Sequence, residues 1–297
     1  MRRDRVRHHC HVMYQGIRSR KLQRAATLAL RNLTTAAPVF GAADGPAVSL
    51  TSHGRRIATV HLAIESIAAG TVLPSRLVLW LDDADAVADP PKGLRRLVRR
   101  GLELRSTPGY RPHTKYYPYV QSLRTHDVPL VTADDDLMYP REWLARLMSA
   151  HATDPTTNTA HRSREVTFAG VGLAPYASWA EVQRGPASPR NLATGTRGHA
   201  MTPEMLEALR DRHGEFMRLS PAADDVWLHR VAVETGTAAK VTGAFTHRDF
   251  LHLPDGGQTL ASANVDGSGN DRQIAAAWPA HLVDTMRASP VPLNVPA

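Results

Sequence analysis

From residue 47 the chain alternates between two hydrophobic patterns. Ala47-Val48-Ser49-Leu50-Thr51, Arg76-Leu77-Val78-Leu79-Trp80-Leu81, Leu102-Glu103-Leu104-Arg105 and Val128-Pro129-Leu130-Val131-Thr132 are short apolar runs that predict strands. The second is almost continuously apolar, as a strand buried on both faces is. Helices are predicted between them. Ile57, Val60, Ile64 and Ile67 mark one helical face, and Leu94, Leu97 and Val98 sit on a basic helix. Residues 114–125 form a third helix, and Pro140 opens a fourth through Trp143, Leu144 and Leu147, proline being favoured in a first turn. This β-α-β-α-β-α-β-α order over residues 47–152 predicts an α/β fold, a mostly parallel sheet with helices on both faces. Ligands of such sheets bind beyond the C-terminal strand ends. Thr51-Ser52, Asp82-Asp83 and Asp134-Asp135-Asp136 fall at those ends.

The rest of the chain is patterned less regularly. Thr167–Val171 reads as a strand and Gly185–Gly198 as a loop. Thr202 caps a helix that begins at Pro203. Asp224-Asp225 opens another, carrying Val226, Leu228, Val231 and Val233. Residues 254–271 read as a long loop, and the tail from Pro290 as irregular. Before residue 47, Leu22, Ala26, Ala29 and Leu33 make an apolar stripe on a helix over 17–33, and residues 34–46 form a small-residue linker. The organisation expected is an arm, helix and linker over 1–46, a patterned half over 47–165 and a less regular half of the same domain over 166–297.

Charge changes the picture of the arm. The 297 residues carry a net charge of +8, yet residues 1–33 hold nine Lys or Arg against one acid, Asp4, so the arm accounts for all of it. A neutral body argues against nucleic-acid binding, which spreads basic residues over the domain surface. For the arm two readings stay open: a helix docked on the body, or one lying on an anionic membrane surface. The single cysteine, Cys10, excludes an internal disulfide framework and points to a reducing, cytoplasmic setting, peripheral at the inner membrane face if the arm binds lipid. Its neighbours His8, His9 and His11 lack a second half-site and are read as adventitious.

Three consecutive acids at the end of an apolar strand repel one another unless a cation is present. Asp134 and Asp136 can share one side while Asp135 points away. Two such carboxylates suit Mg²⁺ or Mn²⁺ carrying substrate phosphates. A solvated acidic turn before the Pro140 helix is the plain alternative.

The order Thr51-Ser52-His53-Gly54-Arg55-Arg56, Leu79-Trp80-Leu81-Asp82-Asp83, Lys115 and Val131-Thr132-Ala133-Asp134-Asp135-Asp136 resembles bacterial GT-A glycosyltransferases. The likeness is to family-2-like enzymes of surface-glycan clusters, over about residues 47–165. Asp224-Asp225-Val226-Trp227 and Asn270-Asp271-Arg272-Gln273-Ile274 extend it loosely. The resemblance implies a GT-A, Rossmann-like fold and transfer of sugar from a nucleotide-diphosphate sugar, a UDP-sugar being expected, to a glycan or lipid-linked acceptor. It implies that Asp134 and Asp136 hold the ion, with Asp135 beside them in the donor site. Thr51, Ser52, Arg55 and Asp82 would line the nucleotide pocket, and Lys115 would face the diphosphate. Residues 47–165 would bind the donor, and 166–297 the acceptor.

Asp225, with Asp224 second, would be the base that activates the acceptor, which implies inversion. As acids in a first turn both also simply complement the helix dipole. Gly195-Thr196-Arg197-Gly198-His199 resembles the loop that approaches donor or acceptor, and His247 a late metal ligand. Trp80 and Trp143 are read as core, while Trp179 and Trp227 are offered as sugar platforms. The competing readings are a sugar-1-phosphate nucleotidyltransferase and a non-catalytic binding protein of the same fold.

Overall fold

A computed structural model describes residues 2–182, 184–253 and 268–291, with the backbone alone for 2–15. The long helix α1 (Arg2–Thr34) leads into β1 (Ala47–Ser52), α2 (Val60–Ala68), β2 (Arg76–Leu81), α3 (Ala84–Ala88), α4 (Lys92–Arg99) and β3 (Glu103–Ser106). Then come α5 (Tyr117–Ser122), β4 (Leu130–Thr132), β5 (Leu137–Met138) and α6 (Trp143–Ala152). The second half runs through short strands: β6 (Thr159–Ala160), β7 (Ser163–Glu165), β8 (Phe168–Ala169), β9 (Gly172–Leu173), β10 (Glu181–Val182), β11 (Asn191–Ala193) and β12 (His199–Met201). It ends with α7 (Pro203–Asp211), α8 (Phe216–Leu219), α9 (Asp224–Glu234), β13 (Lys240–Val241), β14 (Leu251–His252), α10 (Gly269–Ala277) and α11 (Ala280–Ala288).

The main sheet has seven strands in the order β13-β6-β12-β4-β1-β2-β3. The β4-β1-β2-β3 block is parallel throughout, and β12 runs antiparallel to both of its neighbours. The order turns around between β1 and β4, which makes a crevice beyond their C-terminal ends. Alternation along the strands divides the core in two. Val48, Leu50, Leu77, Leu79, Leu81 and Val131 point to the side covered by α2, α4 and α6. Ala47, Val78, Trp80 and Leu130 point to the side covered by α5, α7 and α9. The fold is thus the doubly covered, mostly parallel, Rossmann-like α/β sheet that the pattern predicted, with a less regular second half.

Several element boundaries differ from the sequence reading. The helix expected over 114–125 is a short 3-10 turn, Arg111–Lys115, followed by α5, with Pro112 and Pro118 each in a first turn. Pro140 does not lie in the first turn of α6. Its carbonyl instead accepts the Trp143 amide at 3.0 Å in the turn before the helix. The strand at Thr167–Val171 shrinks to β8, half of a hairpin whose turn places Gly170 at φ 57°. Thr202 caps α7 as expected, its hydroxyl accepting the Met205 amide at 3.2 Å. Helix α10 starts inside the predicted 254–271 loop, and residues 254–267 and the tail after 291 lie outside the described residues.

The linker region and α1 dock on the body through a buried ionic knot beside a small apolar contact, in which Ala25, Leu28 and Ala29 pack on Leu62, Ala63, Met138 and Leu253. Glu65 of α2 is fully buried. Its carboxylate accepts both Arg100 guanidinium nitrogens, at 2.7 and 3.1 Å, and the Asn32 amide at 3.3 Å. Arg31 lies 2.9 Å away. Leu28 and Asn32 are the buried positions of α1, while Leu22 and Leu33 are 52% and 60% exposed. The predicted stripe is therefore split: Leu22, Ala26 and Leu33 are exposed, while Ala29 is half-buried and packs on the body beside Leu28. No helix among the described residues is long and apolar enough to cross a membrane.

Removing one partner of a buried charge pair leaves the other without compensation and costs about 3–5 kcal/mol. Glu65→Ala should lose stability of that order in urea denaturation. Glu65→Leu with Arg100→Met, which removes the two fully buried charges and leaves the part-exposed Arg31, should lose much less.

Candidate active site

The acid triplet follows β4 at the sheet's turning point, beside the end of β1. Asp135 is buried there and does not face solvent. Its carboxylate accepts the Ser52 hydroxyl at 2.6 Å and an Arg56 guanidinium nitrogen at 2.8 Å. The same Arg56 nitrogen lies 3.5 Å from Asp136. Asp135 thus ties the β1 loop to the β4 loop, leaving its two neighbours at the crevice. Tyr139 is buried, and its hydroxyl accepts the Asp134 backbone N–H at 2.6 Å, which fixes the loop from below.

Lys115 joins this loop to a second acidic segment. Its Nζ donates to Asp134 at 3.1 Å and lies 3.3 Å from Asp224 at the start of α9. The Lys115 pKa is raised well above the lysine range. Burial opposes this, but Asp134, Asp224 and Asp225 outweigh it. Asp225 accepts the Gly195 backbone N–H at 2.7 Å. A side chain at Gly195 would put its Cβ 3.2 Å from Lys115 Nζ and 3.5 Å from Asp225 Oδ1. Glycine therefore lets the loop backbone approach both groups. Gly198 is needed for a different reason. It sits at φ 111°, and an added Cβ would come within 2.8 Å of the Trp143 ring, while Trp143 Nε1 donates to the Arg197 carbonyl.

Five carboxylates (Asp134, Asp135, Asp136, Asp224 and Asp225) meet two permanent cations, Lys115 and Arg56. The excess appears as raised carboxyl pKa values. Asp136 is pushed above the usual carboxylate range by burial and by Asp134 and Asp135, against Arg56 and His252. Asp225 is pushed up to about 7 by burial and by Asp224, against Lys115 and the Gly195 N–H. Two nearby histidines, His113 and His199, are held down to about 4 mainly by burial, and so stay neutral.

The crevice therefore favours an added cation. No group of three or more His, Cys, Asp or Glu among the described residues is placed to cage one. The donors fit an ion such as Mg²⁺ or Mn²⁺, which takes one or two carboxylates and completes its shell with waters and substrate phosphates.

The sequence candidates are distributed as follows. Thr51 is half-buried, and its hydroxyl donates to the Trp80 carbonyl at 3.1 Å. Ser52 is buried on Asp135. Arg55 is exposed, and its neighbour Arg56 makes the acid contacts because the 3-10 turn Gly54–Ala58 rotates the two apart. Asp82 is exposed beyond β2. His247 is exposed on a loop. His252 is the histidine whose charge is felt at Asp136, since β14 pairs with β5 and sets His252 opposite Leu137. Arg56 was visible only as half of an Arg-Arg pair, and no local signal marked His252 or Tyr139. Trp80 and Trp143 are core, as expected. Trp179 and Trp227 are each 1% exposed and pack in the interior, which removes them as sugar platforms.

No protein-family model and no curated protein matches the sequence. Solved structures are similar in fold. The mannosyltransferase PcManGT from Pyrobaculum calidifontis, in complex with GDP-Man and Mn²⁺, has 16% identity and a TM-score of 0.42. The alignment covers 76% of this chain and 64% of that one, so the chain spans just under two thirds of that enzyme's length. A 4-diphosphocytidyl-2C-methyl-D-erythritol synthase has 12% identity and a TM-score of 0.45, over 71% of this chain and 94% of that one. Both are transferases. At this similarity the likeness concerns the α/β fold and assigns no activity.

Asp225 gives the site a stability signature. An acid with a raised folded pKa binds its proton more tightly folded than unfolded, so stability falls as pH rises between the two values. The window runs from the unfolded aspartate value, about 4, to about 7. The groups facing Asp225 are Asp224, Lys115, Asp134 and Tyr176. Asp225→Asn should raise the melting temperature above pH 7 and flatten the decline through that window. Equal slopes in the variant and the parent would remove Asp225 as the source.

Proposed function

We propose that the chain is a divalent-metal-dependent glycosyltransferase. It moves a sugar from a nucleotide-diphosphate sugar, a UDP-sugar in this reading, to a hydroxyl of a glycan or lipid-linked acceptor with inversion. The observation that carries the proposal is Asp225. It is a carboxyl group with a pKa of about 7, fixed by the Gly195 N–H and linked through Asp224 and Lys115 to the acid triplet. A base poised near neutral pH beside a phosphate-compatible acidic crevice is the combination that hydroxyl attack on a sugar nucleotide needs. The surface-glycan assignment and the choice of UDP rest on the sequence resemblance alone.

In this reading Asp134 and Asp136 hold the ion, and waters and the donor diphosphate complete its shell in place of a histidine such as His247. When bound, the ion supplies positive charge against the departing diphosphate. Lys115 adds a fixed charge on the same side. Thr51, Ser52, Arg55 and Asp82 border the nucleotide, and Asp135 acts through Arg56 and Ser52 by holding the two loops together. Asp225 accepts the acceptor hydroxyl proton as that oxygen bonds to the anomeric carbon. The bond from that carbon to the diphosphate oxygen breaks, and the nucleoside diphosphate leaves. Asp224 keeps Lys115 oriented and raises the basicity of Asp225.

The test is product analysis with Mn²⁺ and a panel of nucleotide sugars. Nucleoside diphosphate should be released. Pyrophosphate formed from a sugar-1-phosphate and a nucleoside triphosphate would replace this reading with nucleotidyl transfer. Asp136→Ala should abolish Mn²⁺-dependent UDP binding in calorimetry, and unchanged binding would reject the metal assignment. Asp225→Asn should bind donor as the parent does and lose about 10²–10⁴-fold in turnover. Unchanged turnover would exclude it as base.

A further inference from the structure

The docking of α1 leaves an ordered apolar face with no partner among the described residues. Leu28 and Asn32 point inward. On the opposite side Leu22, Leu30 and Leu33 are 52%, 60% and 60% exposed, and Ala26 between them is exposed too. These positions follow helical spacing and form one stripe about 80° wide. The stripe is a rigid feature, because the Glu65 knot fixes the rotation of the helix about its own axis. Exposed Arg18 and Arg20 lie in the preceding turns. Helix α4 packs beside α1, with Asn32 donating to the Gly93 carbonyl at 3.2 Å, and adds exposed Lys92, Val98 and Arg99.

We infer that this face lies on an anionic lipid bilayer, with the leucines at the boundary of the acyl chains and the basic residues among the headgroups. Charge selects this occupant. Residues 1–33 carry nine basic side chains against one acid, while the rest of the chain is neutral. A second copy would bring another strongly positive helix against the first, whereas an anionic surface answers the charge. Charge and apolar insertion together are what hold an interfacial helix, since neither alone is strong. The inference does not depend on the proposed activity.

The test is co-sedimentation of the full chain with phosphatidylcholine vesicles, with and without phosphatidylserine. Binding should require phosphatidylserine and fall with salt, the screening length being about 8 Å at physiological ionic strength. Each basic residue near such a surface contributes about 1 kcal/mol, which is about fivefold in affinity. Arg18→Glu with Arg20→Glu should therefore weaken binding at least about 25-fold. Leu30→Ser with Leu33→Ser should weaken it about tenfold or more. Both pairs are exposed, so melting temperatures should match the parent. Equal binding by either variant would overturn the inference, as would binding to pure phosphatidylcholine that salt does not change. Sedimentation velocity that showed a dimer abolished by the leucine variant would assign the face to a second copy instead.

Discussion

The placement of the Lys115 ammonium between Asp134 and Asp224 governs the site. One carboxylate belongs to the loop after β4, the other to the first turn of α9, and nearly ninety residues separate them. Without a shared cation these segments would repel, and the crevice between the two halves would open. A half-buried ammonium is itself unfavourable unless it is paired. Each side thus supplies what the other requires. Gly195 completes the arrangement by bringing a backbone N–H to Asp225 without a side chain in the way.

The same balance explains why the site is chemically poised and not merely held together. Lys115 and Arg56 neutralise some of the five carboxylates and leave a surplus. The surplus is spread unevenly. Asp135 is absorbed by Ser52 and Arg56, while Asp136 and Asp225 keep raised proton affinities. One end of the crevice is suited to a divalent ion and the other to proton transfer. Burial of His113 and His199 in neutral form keeps further positive charge from cancelling the surplus.

The N-terminal helix is a second case of one side chain organising a region. Glu65 accepts from Arg100 and Asn32 and pairs with Arg31, and beside this knot Leu28, Ala25 and Ala29 pack on Leu62, Ala63, Met138 and Leu253. Leu28 turns inward, and Leu22, Leu30 and Leu33 are left outside. Docking and an outward apolar face coexist because α1 carries apolar residues on both sides, with the ionic knot on the inward one.

The sequence by itself determined the α/β fold class, the first four strands of the sheet and the acids at their ends, because hydrophobic period and polar strand ends are local properties. It also located the arm's charge. The short strands of the second half were not legible, since runs of two or three residues carry no measurable period. Only the tertiary structure decided which arginine meets the acids, which histidine lies beside Asp136 and which face of α1 turns inward. Those choices depend on the rotation of a 3-10 turn, on the pairing of β14 with β5 and on a buried carboxylate. Each of these is set by contacts between residues far apart in the chain, and a local pattern contains no record of them.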